Sequence, residues 1–201
     1  MRSAIHALKY NRVHAAAKGL GRMLAEAIAQ LASEAPTEML VVPVPLHRSK
    51  HAERGFNQAR SLAAHALQSL HKTHPRWRLK LASSTLMRLR PTESQAGLTA
   101  HQRRVNLRGA FQVSDRAAVA AQHILIIDDI FTTGATARAA AQALLKAGAA
   151  SVWVATLARA QRLHDNPRGD FAGGNEGEKN RGEAASLQAA FNFSSHDQSS
   201  F

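Results

Sequence analysis

Two adjacent carboxylates, Asp128 and Asp129, follow the apolar residues Ile124, Leu125, Ile126 and Ile127 and precede the turn Thr132-Thr133-Gly134-Ala135-Thr136. Four branched or leucyl residues in a row predict a strand buried on both faces. The Ala-rich run beyond the turn predicts a helix. A buried strand feeding a small-residue turn and a helix can cradle phosphate, because turn N–H groups and the positive end of the helix dipole converge on an anion. Thr132, Thr133 and Thr136 add hydroxyl donors, and Gly134 lets the backbone approach closely. The carboxylates repel phosphate and need another partner, for which sugar hydroxyls or a Mg²⁺ ion are suited. A bland strand-turn-helix would have little use for Asp-Asp at the end of a buried strand, where desolvated carboxylates are costly unless paired.

A second cluster lies upstream, from Pro45 through Leu46, His47, Arg48, Lys50, His51, Arg54, Gly55 and Asn57 to Gln58. It reads as a cationic loop between strand and helix, suited to a pyrophosphate because guanidinium forks bind phosphoryl oxygens in pairs. The alternative is a solvated basic loop. His47 and His51, four apart, lack a third candidate metal ligand.

The elements that must position these clusters follow from apolar spacing. Val13, Ala17, Leu20, Leu24, Ala27 or Ile28, and Leu31 recur at helical intervals. Met39 to Val44 reads as the first buried strand, limited by Pro43 and Pro45. Ala59, Leu62, Ala63, Ala66, Leu67 and Leu70 mark a helix. Short strands are expected at Thr85 to Leu89 and Ala110 to Val113, with a short helix from Thr99 to Leu107 between them, opened by a capping box. A helix from Ala135 to Ala147, stopped by Gly148, leads to a strand from Ser151 to Leu157. Alternating strands and helices with apolar strands argue for a parallel α/β sheet. Ligands of such sheets bind beyond the strands' carboxyl ends, where both clusters fall.

Composition bounds the rest. Cysteine is absent, excluding disulfides and thiolate zinc sites. No stretch has the length of a membrane span, and Met1 to His14 lacks a signal-like apolar core, so the expectation is a cytoplasmic protein without membrane insertion. Residues 163–201 hold three Lys/Arg and six Asp/Glu, leaving 23 and 8 for residues 1–162, a body of +15 and a tail of −3. Such a body attracts an anionic substrate or nucleic acid. Residues 1–162 are expected to form one domain. Residues 163–201, rich in Gly, Asn, Glu and Ser, are expected to be a disordered tail, with a weak helix at Glu183 to Ala190.

The stretch from Ile124 to Thr136 resembles the 5-phosphoribosyl-1-pyrophosphate (PRPP) signature of type I phosphoribosyltransferases. More finely, Val42-Pro43-Val44-Pro45-Leu46, Arg54-Gly55-Phe56-Asn57-Gln58, the spaced Arg88, Thr92, Gln95, Leu98, Arg103, Asn106 and Phe111, and Thr156-Leu157-Ala158-Arg159 resemble the ComF/GntX branch. Ala7-Leu8-Lys9-Tyr10 matches as well. The resemblance spans about residues 5 to 160. Many relatives begin with a four-cysteine zinc module. This cysteine-free chain offers no such site.

The resemblance implies a type I phosphoribosyltransferase-like sheet flanked by helices, with a small hood. It implies transfer of ribose 5-phosphate from PRPP to a nucleobase-like acceptor with release of pyrophosphate. Thr132, Thr133, Gly134, Ala135 and Thr136 would hold the 5-phosphate. Asp128 and Asp129 would hold the ribose hydroxyls, directly or through Mg²⁺. Leu46, His47, Arg48, Arg54, Gly55 and Asn57 would receive the pyrophosphate, with Arg54 beside the acid pair in the catalytic set. Arg88, Gln95, Arg103 and Asn106 would belong to a mobile loop closing over PRPP, as ligand contacts or as loop staples. The alternative is an accessory protein of DNA uptake that binds single-stranded DNA or a competence helicase. Trp77, flanked by Arg76, Arg78 and Lys80, is the best stacking candidate, although a partly buried anchor suits it better. Neither the acceptor nor the oligomeric state, a dimer included, is legible in the sequence.

Overall fold

The computed structural model describes residues 14–90, 102, 106–131, 133–159 and 189–193. Thr132, Gln95 and Arg103 lie outside the described residues, and of Arg54 only the backbone is described. So do most of the expected 99–107 helix, of which Gln102 and the turn at Asn106 and Leu107 are seen as helical, and most of the tail.

Helix α1 (His14–Ala29) leads to β1 (Glu38–Pro43), the short α2 (Arg48–Arg54) and α3 (Gln58–Thr73). Strands β2 (Arg78–Leu81), β3 (Leu86–Arg88), β4 (Phe111–Val113) and β5 (His123–Phe131) follow, then α4 (Ala135–Lys146), β6 (Ser151–Arg159) and β7 (Ala189–Phe193). The main sheet has the order β2-β1-β5-β6-β7. Its first four strands are parallel, and β7 closes it antiparallel to β6. Strands β3 and β4 pair in a separate antiparallel ribbon.

The sheet is covered on both faces, as expected from its strands. On one face Val41, Leu125, Ile127, Ala155 and Leu157 pack with α1 and α3. On the other, Val42, Ile124, Ile126, Val152 and Val154 pack with α4 and with Leu86 and Phe111 of the ribbon. Ile124 to Ile127 are each 0% exposed, which is why β5 is apolar without alternation. Helices α1 and α3 cross closely at Gly21, where a Cβ would overlap that of His65 and come within 3.2 Å of the Ala66 backbone nitrogen.

The structure departs from the sequence expectations at four places. The 45–58 segment is not an open loop, because it contains α2. His47 caps that helix by accepting from the Ser49 N–H (3.3 Å), and Gly55, at φ 74°, ends it by donating to the His51 carbonyl. Strand β5 does not stop before the carboxylates. It continues in register with β6 from Asp128 opposite Thr156 to Phe131 opposite Arg159. Strand β2 went unforeseen because its burial alternates with exposed Arg78 and Lys80, leaving a weak apolar signal, and Trp77 beside it is buried at 6% exposure. An aromatic so enclosed serves as a core anchor, not as a base-stacking platform. Finally, Ala189–Phe193 forms a strand, so Ala189 and Ala190, at the end of the expected Glu183 to Ala190 helix, are extended, while the rest of that helix lies outside the described residues. The sheet's β6 edge offers backbone partners to this short Ala-Ala-Phe-Asn-Phe segment.

Candidate functional site

The site forms where β1 stops and β5 does not. The β1–β5 ladder ends at Pro43 opposite Ile127, with a final bond from the Val44 N–H to the Ile127 carbonyl at 2.9 Å. Pro45 has no N–H to extend it. Residues 128–131 of β5 therefore run past the end of β1, with Asp128, Ile130 and Phe131 still paired to β6 on their other side.

On that overhang each aspartate receives a backbone donor locally. Asp128 Oδ1 accepts from the Asp129 N–H at 2.9 Å, and Asp129 Oδ1 accepts from the Ile130 N–H at 2.8 Å. Both side chains are half-buried. Burial raises the Asp128 carboxyl well above the ordinary carboxylate range, and the Asp129 charge beside it and a side-chain hydrogen bond with Asp129 push the same way. The Asp129 backbone N–H and the Arg88 cation pull it back. Arg88 itself, on β3, is lowered from the usual guanidinium value by burial and raised by Asp128. Its guanidinium also stands 5.6 Å from the Phe111 ring centre. Residues alternate faces along a strand, so Asp128 extends the ribbon side, consistent with Arg88's influence. The Asp128 and Asp129 side chains are hydrogen-bonded to each other, and strict alternation lapses beyond them, because Ile130 packs with the cluster of α1 and α3 and Phe131 with that of α4.

The turn after β5 is built for close approach. Gly134 is the N-cap of α4 at φ 72°, and no side chain caps that helix. The uncapped first turn of a helix leaves N–H donors facing outward. The first turn carries no acid that would repel an anion. Thr133 Oγ1 is buried and has no hydrogen-bond partner. Ala135 is buried and Thr136 half-buried beside it.

On the other flank, Leu46, His47 and Arg48 face Ser84, Met87 and Arg88 across a cavity of about 650 Å³. His47 is occupied as the α2 cap and hydrogen-bonds Ser49 Oγ at 2.8 Å. Among the described residues no group of three His, Cys, Asp or Glu could hold a metal. The two aspartates alone could contribute to a Mg²⁺ site, a fit for an ion that keeps waters and takes substrate oxygens. Asn57 is spent on structure, capping α3 through the Arg60 N–H at 3.2 Å and donating to the Val44 carbonyl at 3.0 Å. Arg88 sits on a paired strand and not in a loop, and Asn106 Nδ2 is buried without a partner. The acid pair, Thr133 and the 46–48 segment all border the carboxyl end of the sheet, yet Asp128, Asp129 and Thr133 do not line the cavity.

Two buried polar residues escaped the sequence reading of roles. Thr156, 3% exposed, stands in register with Asp128, and Gln58, 2% exposed, opens α3. A glutamine directly after a capping asparagine, among the apolar positions 59, 62 and 63, is the signal that marks the second.

Comparison with known proteins gives the family of the chain. The chain is 36% identical over 160 residues to the DNA utilization protein YhgH of Salmonella typhi, covering 77% of this chain and 65% of that one. It is 33% identical over 122 residues to competence protein F of Haemophilus influenzae (60% and 50%) and 36% identical over 121 residues to competence protein ComFC of Bacillus subtilis (60% and 44%). The chain thus spans about two thirds or less of the length of these relatives. A looser likeness is to the glutamine PRPP amidotransferase of B. subtilis complexed with ADP and GMP, with a TM-score of 0.48, 20% identity, and 77% of this chain and 30% of that chain covered. Residues 52–189 match the phosphoribosyl transferase domain, and with that match the chain belongs to the phosphoribosyl transferase domain family, as a ComF-type, type I member.

Proposed function

We propose that this protein binds PRPP at the carboxyl end of β5 and transfers its ribose 5-phosphate to a nucleobase-like acceptor. The observation that carries the reading is the buried, unpartnered Thr133 hydroxyl at the uncapped start of α4, a few residues from the two aspartates. A phosphate at the turn and a diol at the carboxylates would satisfy both at once. In the transfer, the bond from the sugar C1 to pyrophosphate breaks with its electron pair leaving on the phosphate oxygen. The acceptor's lone pair forms the new bond to C1. Positive charge develops at C1, and the developing negative charge of the leaving group is met by the cations of the 46–54 segment. Mg²⁺ held at Asp128 and Asp129 would supply further neutralisation of the pyrophosphate. The chain's own carboxylates orient the 2- and 3-hydroxyls.

Calorimetry with PRPP and Mg²⁺ tests the binding step. Asp128→Asn with Asp129→Asn keeps the side-chain oxygens that accept the Asp129 and Ile130 N–H groups and removes only charge. Affinity should fall at least ~10-fold, about 1.4 kcal/mol. Unchanged affinity would remove the ribose assignment. Pyrophosphate release, screened against nucleobases, tests turnover.

The second reading, an accessory role in DNA uptake, draws support from the names of the relatives, competence protein F and DNA utilization protein, and from the +15 charge of residues 1–162. A salt-dependent shift of single-stranded DNA without pyrophosphate release would favour it. The burial of Trp77 counts against base stacking at that position.

A further inference from the structure

Phe131 ends β5 half-exposed, and its ring reaches across the turn to Gly134. A Cβ on Gly134 would lie 2.6 Å from Phe131 Cζ, 3.0 Å from Cε2 and 3.4 Å from Cε1, so the tip of the ring fills the space in which a side chain would stand. The ring also packs against the apolar cluster of α4, and residue 131 is paired with Arg159 of β6. Ladder on one side and cluster on the other hold it as a wedge between the end of β5 and the start of α4.

Gly134 is buried, stands at φ 72° and begins α4 without a side-chain cap. Glycine by itself does not hold that conformation, because it populates positive and negative φ about equally readily. Something must select the left-handed form, and the ring tip is placed to do so. The same ring excludes serine, threonine, aspartate and asparagine, the usual N-caps, because each carries a Cβ. The first N–H groups of α4 thus keep no side-chain acceptor, and the neighbouring Thr133 Oγ1 is buried without a partner. With the Cβ side of Gly134 taken by the ring, a ligand reaches the turn from its N–H side.

We propose that Phe131 is a positioning residue for the 5-phosphate of PRPP: its ring tip holds Gly134 left-handed and bars a side-chain cap, which keeps the first N–H groups of α4 available to the phosphate. The proposal rests on PRPP binding as read above. Phe131 acts through Gly134 and touches no ligand. Its role accounts for a ring left half-exposed at the strand end, where a shorter aliphatic side chain would not reach the turn.

The test uses the full chain with Phe131→Leu, which keeps apolar bulk but withdraws the tip, and Phe131→Tyr, which adds an oxygen at Cζ and presses on Gly134. Either variant suffices should the other fail to fold. Calorimetry with Mg²⁺ measures binding of PRPP and, separately, of pyrophosphate, and thermal unfolding is followed on each protein. Expected is PRPP affinity weakened about 10-fold in both variants, the worth of one hydrogen bond to a charged group. Pyrophosphate, received by the 46–54 segment, should bind as to the parent. Phe131→Met, whose straight chain again reaches the turn, should bring PRPP affinity back toward the parent value. A ring that only packs gives lowered unfolding midpoints with unchanged PRPP affinity, and that result overturns the proposal. Equal weakening of PRPP and pyrophosphate overturns it as well, because it reports a site loosened throughout. If the parent protein itself fails to bind PRPP, the PRPP reading fails first and the role of Phe131 falls with it. Binding by the parent and equally by both variants removes the role of Phe131 alone.

Discussion

Substituting Gly134 by alanine tests whether the turn between β5 and α4 has the geometry a phosphate cradle needs. Gly134 stands at φ 72°, where a side chain is disfavoured by about 1–2 kcal/mol. The added Cβ would also lie 2.6 Å from Phe131 Cζ and 3.0 Å from Cε2. Overpacking of that kind costs about 1–3 kcal/mol, less to the extent that the ring swings away from its half-exposed position at the end of β5. Together the single substitution should destabilise the protein by about 2–4 kcal/mol. The two contributions separate in the background of Phe131→Ala, where the ring is gone and only the backbone conformation resists. There Gly134→Ala should cost about 1–2 kcal/mol, leaving a coupling of about 1–2 kcal/mol between the two sites. Urea unfolding of the parent, both singles and the double measures this directly. Equal penalties in the two backgrounds would show that Phe131 does not pack on the turn. A penalty below about 0.5 kcal/mol in either would show that residue 134 is not left-handed, and with it the close backbone approach would go.

Asp128 carries the pH prediction. Its folded-state pKa is raised, so the native protein holds more protons than the unfolded chain between the ordinary carboxylate range and the raised value. Stability should fall as pH rises through that window. Asp128→Asn should accordingly unfold later than the parent at neutral pH and lose that slope, while binding PRPP more weakly. Replacing Arg88 by methionine removes the cation that favours the ionised Asp128. The acid limb of PRPP binding, followed by calorimetry across pH, should then move to higher pH, and an unmoved limb would dissociate Arg88 from the acid pair. Gly21→Ala should cost about 1–3 kcal/mol in denaturant unfolding, because the α1–α3 crossing has no room for a methyl group against His65 and the Ala66 backbone. A neutral result would mean that the two helices do not meet at this point.

The sequence disclosed what is periodic or chemically conspicuous. The buried run Ile124–Ile127, the helix spacing of α3 and α4, and the glycine stop at 148 all appear where apolar pattern and turn chemistry put them. What stayed hidden depends on partners distant in sequence. Strand β2 is a four-residue edge made by pairing with β1, and two of its residues are exposed cations. Strand β7 exists because β6 presents an edge. Helix α2 hangs on a histidine cap, outside the usual Ser, Thr, Asp and Asn set. At the site, adjacency in sequence suggested two carboxylates reaching in one direction. The two side chains do meet, but only the structure shows that β5 continues past Ile127 and that Arg88 is a strand residue whose charge acts on Asp128.

That continuation explains why aspartate suits both positions. A strand that outruns one neighbour exposes backbone N–H groups that the ladder no longer satisfies on that side. Asp128 and Asp129 each turn an oxygen back to the following N–H, at 2.9 and 2.8 Å, which a glutamate's longer side chain does not do so locally. One oxygen of each carboxylate thus maintains the overhang, and acceptor capacity remains for something else. Local backbone satisfaction alone would be served as well by asparagine, without setting two like charges on adjacent residues or raising Asp128 by burial. The charge is therefore the part that the fold does not need. On the proposed reading, a ligand with vicinal hydroxyls, a divalent cation, or both, would offset the repulsion that the ligand-free protein bears, and the uncapped start of α4, at the end of the same strand, would take the anionic end of such a ligand.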